Sequence, residues 1–159
     1  MIKIHKLQRS QFVPRPRDEV FEFFSNPKNL EKLTPKELSF QILTPGFIPM
    51  HVGTVIDYSI SLFGLPMRWT SLITRFKESH YFVDLQMRGP YAYWHHLHRF
   101  EVVPEGTLIE DEVHYQMPHG FLGEFIHQCY VKKQLEAIFD HRERVMKNCF
   151  AKKNGGEYE

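Results

Sequence analysis

A long series of strand-like segments followed by one helix-like segment is the feature that most restricts the fold of this chain. Between Leu38 and Met117, apolar and polar residues alternate in short runs that end at turn signals such as Thr44-Pro45-Gly46 and Pro104-Glu105-Gly106. From Phe121 to Phe150, apolar residues instead recur at three- and four-residue steps. Consecutive strands joined by short turns predict an antiparallel meander, and the change of period predicts a long C-terminal helix packed on it.

The segment before these strands predicts one further strand and two short helices. The chain begins with an alternating run, Ile2 to Val13, and RPRDEVFEFFSNPKNLEKLTP follows it. Pro16 suits the first turn of one helix, and Asn26 can cap a second. The predicted later strands are Phe40–Leu43, Gly53–Leu62, Met67–Phe76, Tyr81–Met87, Tyr91–Val103 and Thr107–Met117. The prediction is an α+β fold in which a curved antiparallel sheet of about seven strands wraps around the long helix and leaves a cavity between them.

Composition and charge restrict the class of protein. A length of 159 residues predicts a single domain, placed at residues 1–150 and followed by a disordered tail at 151–159. The formal net charge of +1 gives no general electrostatic reason to bind nucleic acid. No apolar run approaches the roughly 20 residues of a membrane span, and MIKIHKLQRSQF lacks a signal-peptide core, so a cytoplasmic location is expected. Cys129 and Cys149 lie too far apart on one helix for a disulfide and are expected to be buried thiols.

Several long segments carry a resemblance to a known superfamily. They are VFEFFSNPKNLEKLTP, GTVIDYSISLFGLPMRW, RGPYAYWHHLHRFE, GTLIEDEVHYQMP and LEAIFDHRERV. Through them the chain, from Lys6 to Val145, resembles the START-like SRPBCC superfamily with its helix-grip fold. It is most similar to a bacterial SRPBCC group of ligand-binding proteins with no established reaction. The resemblance implies a ligand cavity between the sheet and the C-terminal helix. It implies no particular ligand and transfers no catalytic residues.

The histidine-rich strand is where the sequence points to a site. Side chains alternate between the two faces of a strand, and the more apolar set of each pair is expected to face the helix. The inward set comprises Trp94, His96, His98, Phe100 and Val102 on one strand, and Ile109, Asp111, Val113 and Tyr115 on the next. Burial of the lone Asp111 carboxylate is costly unless it is paired. His96 and His98 are therefore predicted to pair with Asp111, with Tyr115 close by.

Three interpretations of this cluster remain open. It is a structural network, or the polar end of a ligand cavity, or part of a metal site. The predicted ligand-binding residues are Trp69, Trp94, His96, His98, Phe100, Asp111, Val113 and Tyr115. His-x-His with a carboxylate suits zinc or iron, but no further ligand of matching spacing is found, so no metal or cofactor is predicted. Asp84, with Gln86 and Arg88, is assigned to a solvent-facing side of its strand.

The leading functional hypothesis is a binding protein for a small hydrophobic or amphipathic molecule, such as a lipid, a quinone or a polyketide-like compound. One alternative is an enzyme similar to polyketide cyclases and aromatases. In it His96 or His98 acts as a general base, Asp111 sets its tautomer and Tyr115 stabilises an enolate oxygen. Another is a protein-partner or stress-related adaptor without a ligand, which predicts an exposed apolar patch and no internal volume. The sequence does not predict an oligomeric state.

Overall fold

A computed structural model describes residues 3–62 and 64–151. The strands are β1 (His5–Val13), β2 (Gln41–Ile42), β3 (Val55–Leu62), β4 (Leu65–Lys77), β5 (Tyr81–Arg88), β6 (Tyr93–Val103) and β7 (Gly106–Gln116). The α-helices are α1 (Arg17–Ser25), α2 (Leu30–Leu33), α3 (Gly120–Ile126) and α4 (Lys132–Ala151). Ile2, in the predicted first strand, and residues 152–159 of the predicted tail lie outside the described residues.

The seven strands form one antiparallel sheet in the order β1-β7-β6-β5-β4-β3-β2. Consecutive strands from β2 to β7 are neighbours, as the meander predicts, and β1 closes the far edge against β7. The predicted α+β helix-grip fold is confirmed, including the two short helices after the first strand. The register that matters for the site pairs His96 with Val113 and His98 with Asp111 across β6 and β7.

The C-terminal helix runs without a break in the chain from α3 through a π-helical segment, His127–Val131, into α4. One stripe of α4 is buried, through Leu135, Phe139, Met146 and Phe150. The helix thus packs against the concave side of the sheet through one face only. No helix of the described chain is long and apolar enough to cross a membrane.

The expectation that both cysteines are buried is wrong. Cys129 and Cys149 are free thiols with exposed side chains. They lie beside the buried stripe of the helix, because a helix packed on a sheet buries a stripe rather than its whole circumference.

Two hydrophobic clusters form the core, and β6 runs from one to the other. The first contains Phe21, Phe100 and Ile109 with Met146 of α4. The second contains Trp69, Trp94, Val113 and Tyr115 with Leu135 of α4. Phe100 and Trp94 lie on the same face of β6, so the two residues between them on that face, His96 and His98, lie at the seam of the clusters.

Candidate functional site

A cavity of about 140 Å³ lies between the concave face of the sheet and α4. Its aromatic walls are Phe24, Phe40, Tyr58, Trp69, Phe82, Tyr91, Trp94 and Phe139. Its polar lining is Ser25, Thr34, Ser71, Asp84, His96, His98, Gln134 and Arg142. By the same measure a single water molecule needs roughly 10–15 Å³, so the space exceeds that of a few trapped waters.

Four titratable side chains from three neighbouring strands meet at one wall of this cavity. Asp84 of β5 pairs across the sheet with His96, and Asp111 of β7 pairs with His98. His96 Nε2 lies 2.8 Å from Asp111 Oδ1, and His98 Nε2 lies 3.0 Å from Asp84 Oδ2. His98 Nδ1 is 2.9 Å from Asp111 Oδ1, although off the direction of a hydrogen bond. His96, His98 and Asp111 are buried, with 4%, 5% and 7% of their surface exposed.

Arg142 of α4 brings a fifth charged group to the same place. Its Nη1 lies 3.7 Å from Asp111 Oδ1, and its guanidinium carbon lies 5.4 Å and 4.9 Å from the ring centres of Phe24 and Phe139. The Nε and Nη1 atoms are buried and have no hydrogen-bond partner within residues 3–62 and 64–151. A buried N–H group without a partner is unfavourable, so this guanidinium is only partly satisfied by the protein.

The surroundings push the two imidazoles towards different charge states. Burial opposes the charged form of His98, but its contacts with Asp111 and Asp84 outweigh burial and hold its pKa above the ordinary value. Burial and the neighbouring His98 instead lower the pKa of His96 to about 4. Burial also opposes ionisation of the two carboxyls, yet hydrogen bonds from the imidazoles keep the pKa of Asp84 and of Asp111 below the ordinary value.

These charge states fix the tautomer of His96. At neutral pH its ring is uncharged and carries one proton, while an ionised carboxylate can only accept a hydrogen bond. The 2.8 Å contact therefore has Nε2–H of His96 donating to Asp111, which leaves a lone pair on Nδ1. That nitrogen lies 3.7 Å from Asp84 Oδ2, beyond hydrogen-bond distance. It can accept a proton or a hydrogen bond, or coordinate a metal ion.

The structure places Tyr115 away from this cluster, and that part of the prediction is wrong. Tyr115 lies two residues beyond Val113, the cross-strand partner of His96, but it does not line the cavity. Its hydroxyl lies 2.7 Å from Nε2 of His127, in the π-helical segment. His127 in turn stacks on His5, whose Nε2 lies 2.9 Å from Glu124 Oε1. Tyr115 thus belongs to a second polar cluster, nearer the start of the C-terminal helix.

The other predicted site residues separate into two groups. Trp69, Trp94, His96 and His98 line the cavity. Phe100, Asp111 and Val113 are buried on the same face of the sheet but do not line the cavity. The prediction that Val102 also faces inward is wrong: it is 68% exposed, because it lies at the end of β6 next to the turn into β7. Asp111 reaches the cavity only through the imidazoles that it contacts.

Two important residues of the site were not predicted. The sequence predicts Asp84 on the solvent side, but it lines the cavity. It faces inward because the imidazoles of the neighbouring strand pair with its carboxylate, whereas Arg88, further along the same side of β5, is exposed as predicted. Arg142 falls in the helical repeat of apolar residues, and a lone arginine in such a stripe is the signal that would have identified it.

Two groups of side chains in the described part of the chain could hold a metal ion. One is Asp84, His96 and His98, in the cavity. The other is His5, Glu124 and His127, which is less buried. In each group one donor atom per residue lies within 4.8 Å of the other two.

Comparisons with known proteins show the fold. No protein-family model matches the sequence, and no curated protein matches it. Among solved structures, the Zhui aromatase/cyclase from Streptomyces sp. R1128 has a TM-score of 0.75 at 13% identity, over 97% of this chain and 98% of that one. The major latex-like protein 151 of Panax ginseng has a TM-score of 0.67 at 14% identity, over 92% and 97%. The norcoclaurine synthase of Thalictrum has 0.64 at 14%, over 93% and 97%.

The chain shares its fold with these structures, and that fold is the helix-grip fold that the sequence resemblance predicted. Similarity at 13–14% identity shows the fold but not the activity, which has to be inferred from the residues of the site.

Proposed function

We propose that this protein binds a small amphipathic molecule in the cavity between the sheet and α4, with an apolar body against the aromatic walls and an oxygen acceptor at Arg142. The observation that carries the proposal is the buried guanidinium whose Nε and Nη1 lack a hydrogen-bond partner among the described residues. Arg142 is itself part of the cavity lining. A carbonyl, hydroxyl or carboxylate oxygen would supply the missing acceptor.

The opposite walls suit a flat apolar body. Trp69 and Trp94 pack edge to face with ring centres 5.3 Å apart, and Tyr58 and Tyr91 pack against them. Large aromatic side chains with a few polar groups at one end are the usual lining of small-molecule sites. The volume of about 140 Å³ is close to that of a cavity known to take benzene, about 150 Å³. We therefore expect a ligand body of about one aromatic ring, with larger lipids or quinones requiring α4 to move.

The location of the two tryptophans provides a direct assay. They are the only tryptophans of the chain, and both line the cavity. Acetophenone and cumene carry the same ring and have a similar volume, but one has a carbonyl oxygen where the other has a methyl group. Acetophenone binding is measured by quenching of tryptophan emission in protein treated with chelator, and cumene binding by competition. We expect acetophenone to bind about tenfold or more tightly than cumene, because a hydrogen bond to a charged group contributes about 1.5–3 kcal/mol.

The matched variants are Arg142→Gln and Arg9→Gln. Arg9 forms an ion pair with Asp140, 2.8 Å away, and does not line the described cavity. Arg142→Gln should remove the preference for acetophenone, and Arg9→Gln should keep it. The proposal fails if neither compound saturates the quenching or competition signal. It fails equally if the preference survives in Arg142→Gln.

An enzyme of the cyclase or aromatase kind is the second candidate, and one observation favours it. His96 is held by Asp111 in the tautomer that presents Nδ1 as a base, and His96 lines the cavity. Its low pKa makes it a weak base, and the Tyr115 hydroxyl, which would have to stabilise an enolate, is engaged by His127 and does not line the cavity. If native mass spectrometry of protein purified from cells reveals a retained molecule, Asp111→Asn should abolish any turnover of it, and Arg9→Gln should not.

The adaptor hypothesis receives less support. An adaptor of this kind would have no internal volume, whereas the described chain contains a cavity of about 140 Å³. Phe121, Leu122 and Phe125 of α3 are exposed, and this patch is what an adaptor would use. A cytoplasmic location remains the prediction made from the sequence.

A further inference from the structure

We propose that Asp84, His96 and His98 form a binding site for one divalent transition-metal ion, such as Zn²⁺, in the wall of the cavity. Two imidazole nitrogens and one carboxylate oxygen are a ligand set that zinc and non-heme iron accept in proteins. All three side chains line the cavity, so coordination positions on its side stay open for water or another molecule. The inference stands whether or not an organic ligand binds beside the ion.

The donor atoms are already close to the spacing that an ion requires. Metal–ligand bonds of about 2.0–2.2 Å at tetrahedral or octahedral angles place donors roughly 2.9–3.5 Å apart. His98 Nε2 lies 3.0 Å, and His96 Nδ1 lies 3.7 Å, from Asp84 Oδ2. The two imidazole rings have centres 3.7 Å apart and planes at 34°, so they must fan apart slightly to direct both lone pairs at one ion.

Asp111 holds both rings in the orientation that such a site needs. Histidine ligands of metals usually contact a carboxylate or carbonyl through the nitrogen that faces away from the ion. His96 Nε2 and His98 Nδ1 lie 2.8 Å and 2.9 Å from the same oxygen of Asp111. The opposite nitrogens, Nδ1 of His96 and Nε2 of His98, are the ones directed at Asp84. The Asp111 carboxylate therefore orients His96 through a hydrogen bond and lies against the far nitrogen of His98 through an electrostatic contact.

Asp84 supplies the third ligand that the sequence did not identify. His-x-His on a strand lacks a third ligand of matching spacing, and the pairing of β5 with β6 supplies it by placing Asp84 opposite His96. The rival group, His5, Glu124 and His127, is less suited. Glu124 lies 3.3 Å from the Lys3 ammonium, whereas the ion-pair partners of Asp84 among the described residues are the two histidines and Arg142 contacts Asp111 instead. A positive charge beside a ligand carboxylate opposes a cation, so we expect the ion in the cavity.

The test titrates Zn²⁺ into chelator-treated, full-length protein by calorimetry. We expect one ion per chain, with a dissociation constant of micromolar or tighter. Asp84→Asn should weaken binding about 100-fold or more, and Asp111→Asn by about 10–100-fold, the usual effect of losing a group that orients a ligand. Glu124→Gln, the matched change in the rival group, should leave the affinity unchanged within about twofold.

A second measurement locates the ion without any substitution. Paramagnetic Co²⁺ broadens the NMR signals of nearby amides, so the proposal expects the earliest losses in β5 and β6 around Asp84 and His96. Losses that begin instead in α3 around Glu124 would overturn it. So would binding of Zn²⁺ weaker than about 100 μM, or a large effect of Glu124→Gln. Because acetophenone binding is measured on chelator-treated protein without added metal, the metal site and the ligand site can fail independently.

Discussion

Replacing Asp111 with asparagine removes the one charge that His96, His98 and Arg142 all contact. The side chain is nearly buried and lies within 3.7 Å of nitrogens of His96, His98 and Arg142. In the wild type, the Asp84 and Asp111 carboxylates balance the His98 imidazolium and the Arg142 guanidinium. In Asp111→Asn one positive charge is left buried without a counter-charge. Breaking a buried ion pair in this way costs about 3–5 kcal/mol, and we expect the lower end because His98 can lose its proton.

The assay is urea unfolding of the metal-free protein, followed by circular dichroism. We expect the free energy of unfolding to fall by about 3 kcal/mol with no change in its dependence on urea, and a thermal midpoint lower by roughly 6–12 °C. The matched control is Asp140→Asn, because the Asp140 side chain is 59% exposed and pairs with Arg9 at 2.8 Å. An exposed pair contributes less than about 1 kcal/mol. If Asp111→Asn is no more destabilising than Asp140→Asn, the cluster is not the coupled buried network described above.

Two further predictions test the burial of particular side chains. Cys129 and Cys149 are exposed, so both thiols of the folded protein should react with a thiol reagent, and a protected thiol would contradict the helix orientation. Burial raises the pKa of Tyr58 and Tyr91 above 10 and that of Tyr115 to about 12. The unfolded chain ionises these phenols first, so stability should fall as pH rises above 10; phenolate absorbance that appears in full near pH 10 before unfolding would refute this.

The part of the site that the sequence predicted rests on two local rules. Alternation along a strand assigned His96, His98 and Asp111 to one face, and the cost of burying an unpaired carboxylate brought them together. The structure places all three there. The same alternation put Trp69 and Trp94 on the inward side, and both line the cavity. A strand's own residues contain this information, because the period of two is set by its backbone.

The missing part depends on long-range geometry. Asp84 has Phe82 as its neighbour on the inward face, but the sequence alone gives more apolar residues on the other face of β5. Only the register that pairs Asp84 with His96 makes an inward carboxylate favourable. Arg142 depends on where α4 lies along the sheet and how it is rotated, which its three- and four-residue repeat does not determine. For the same reason the partner of Tyr115, His127, could not be found from β7 alone.

The charged cluster contributes less to the fold than its burial suggests. Buried ion pairs can often be replaced by apolar residues of similar volume with little loss of stability, and sometimes with a gain. The two hydrophobic clusters on either side, anchored by Phe100 and Trp94, already hold the sheet against α4. The cluster lies at the seam where their packing leaves a cavity, and the Arg142 N–H groups there still lack acceptors among the described residues. The cluster is therefore stable, but its hydrogen bonding at the cavity wall is incomplete. Binding of a further molecule or ion in the cavity would complete it.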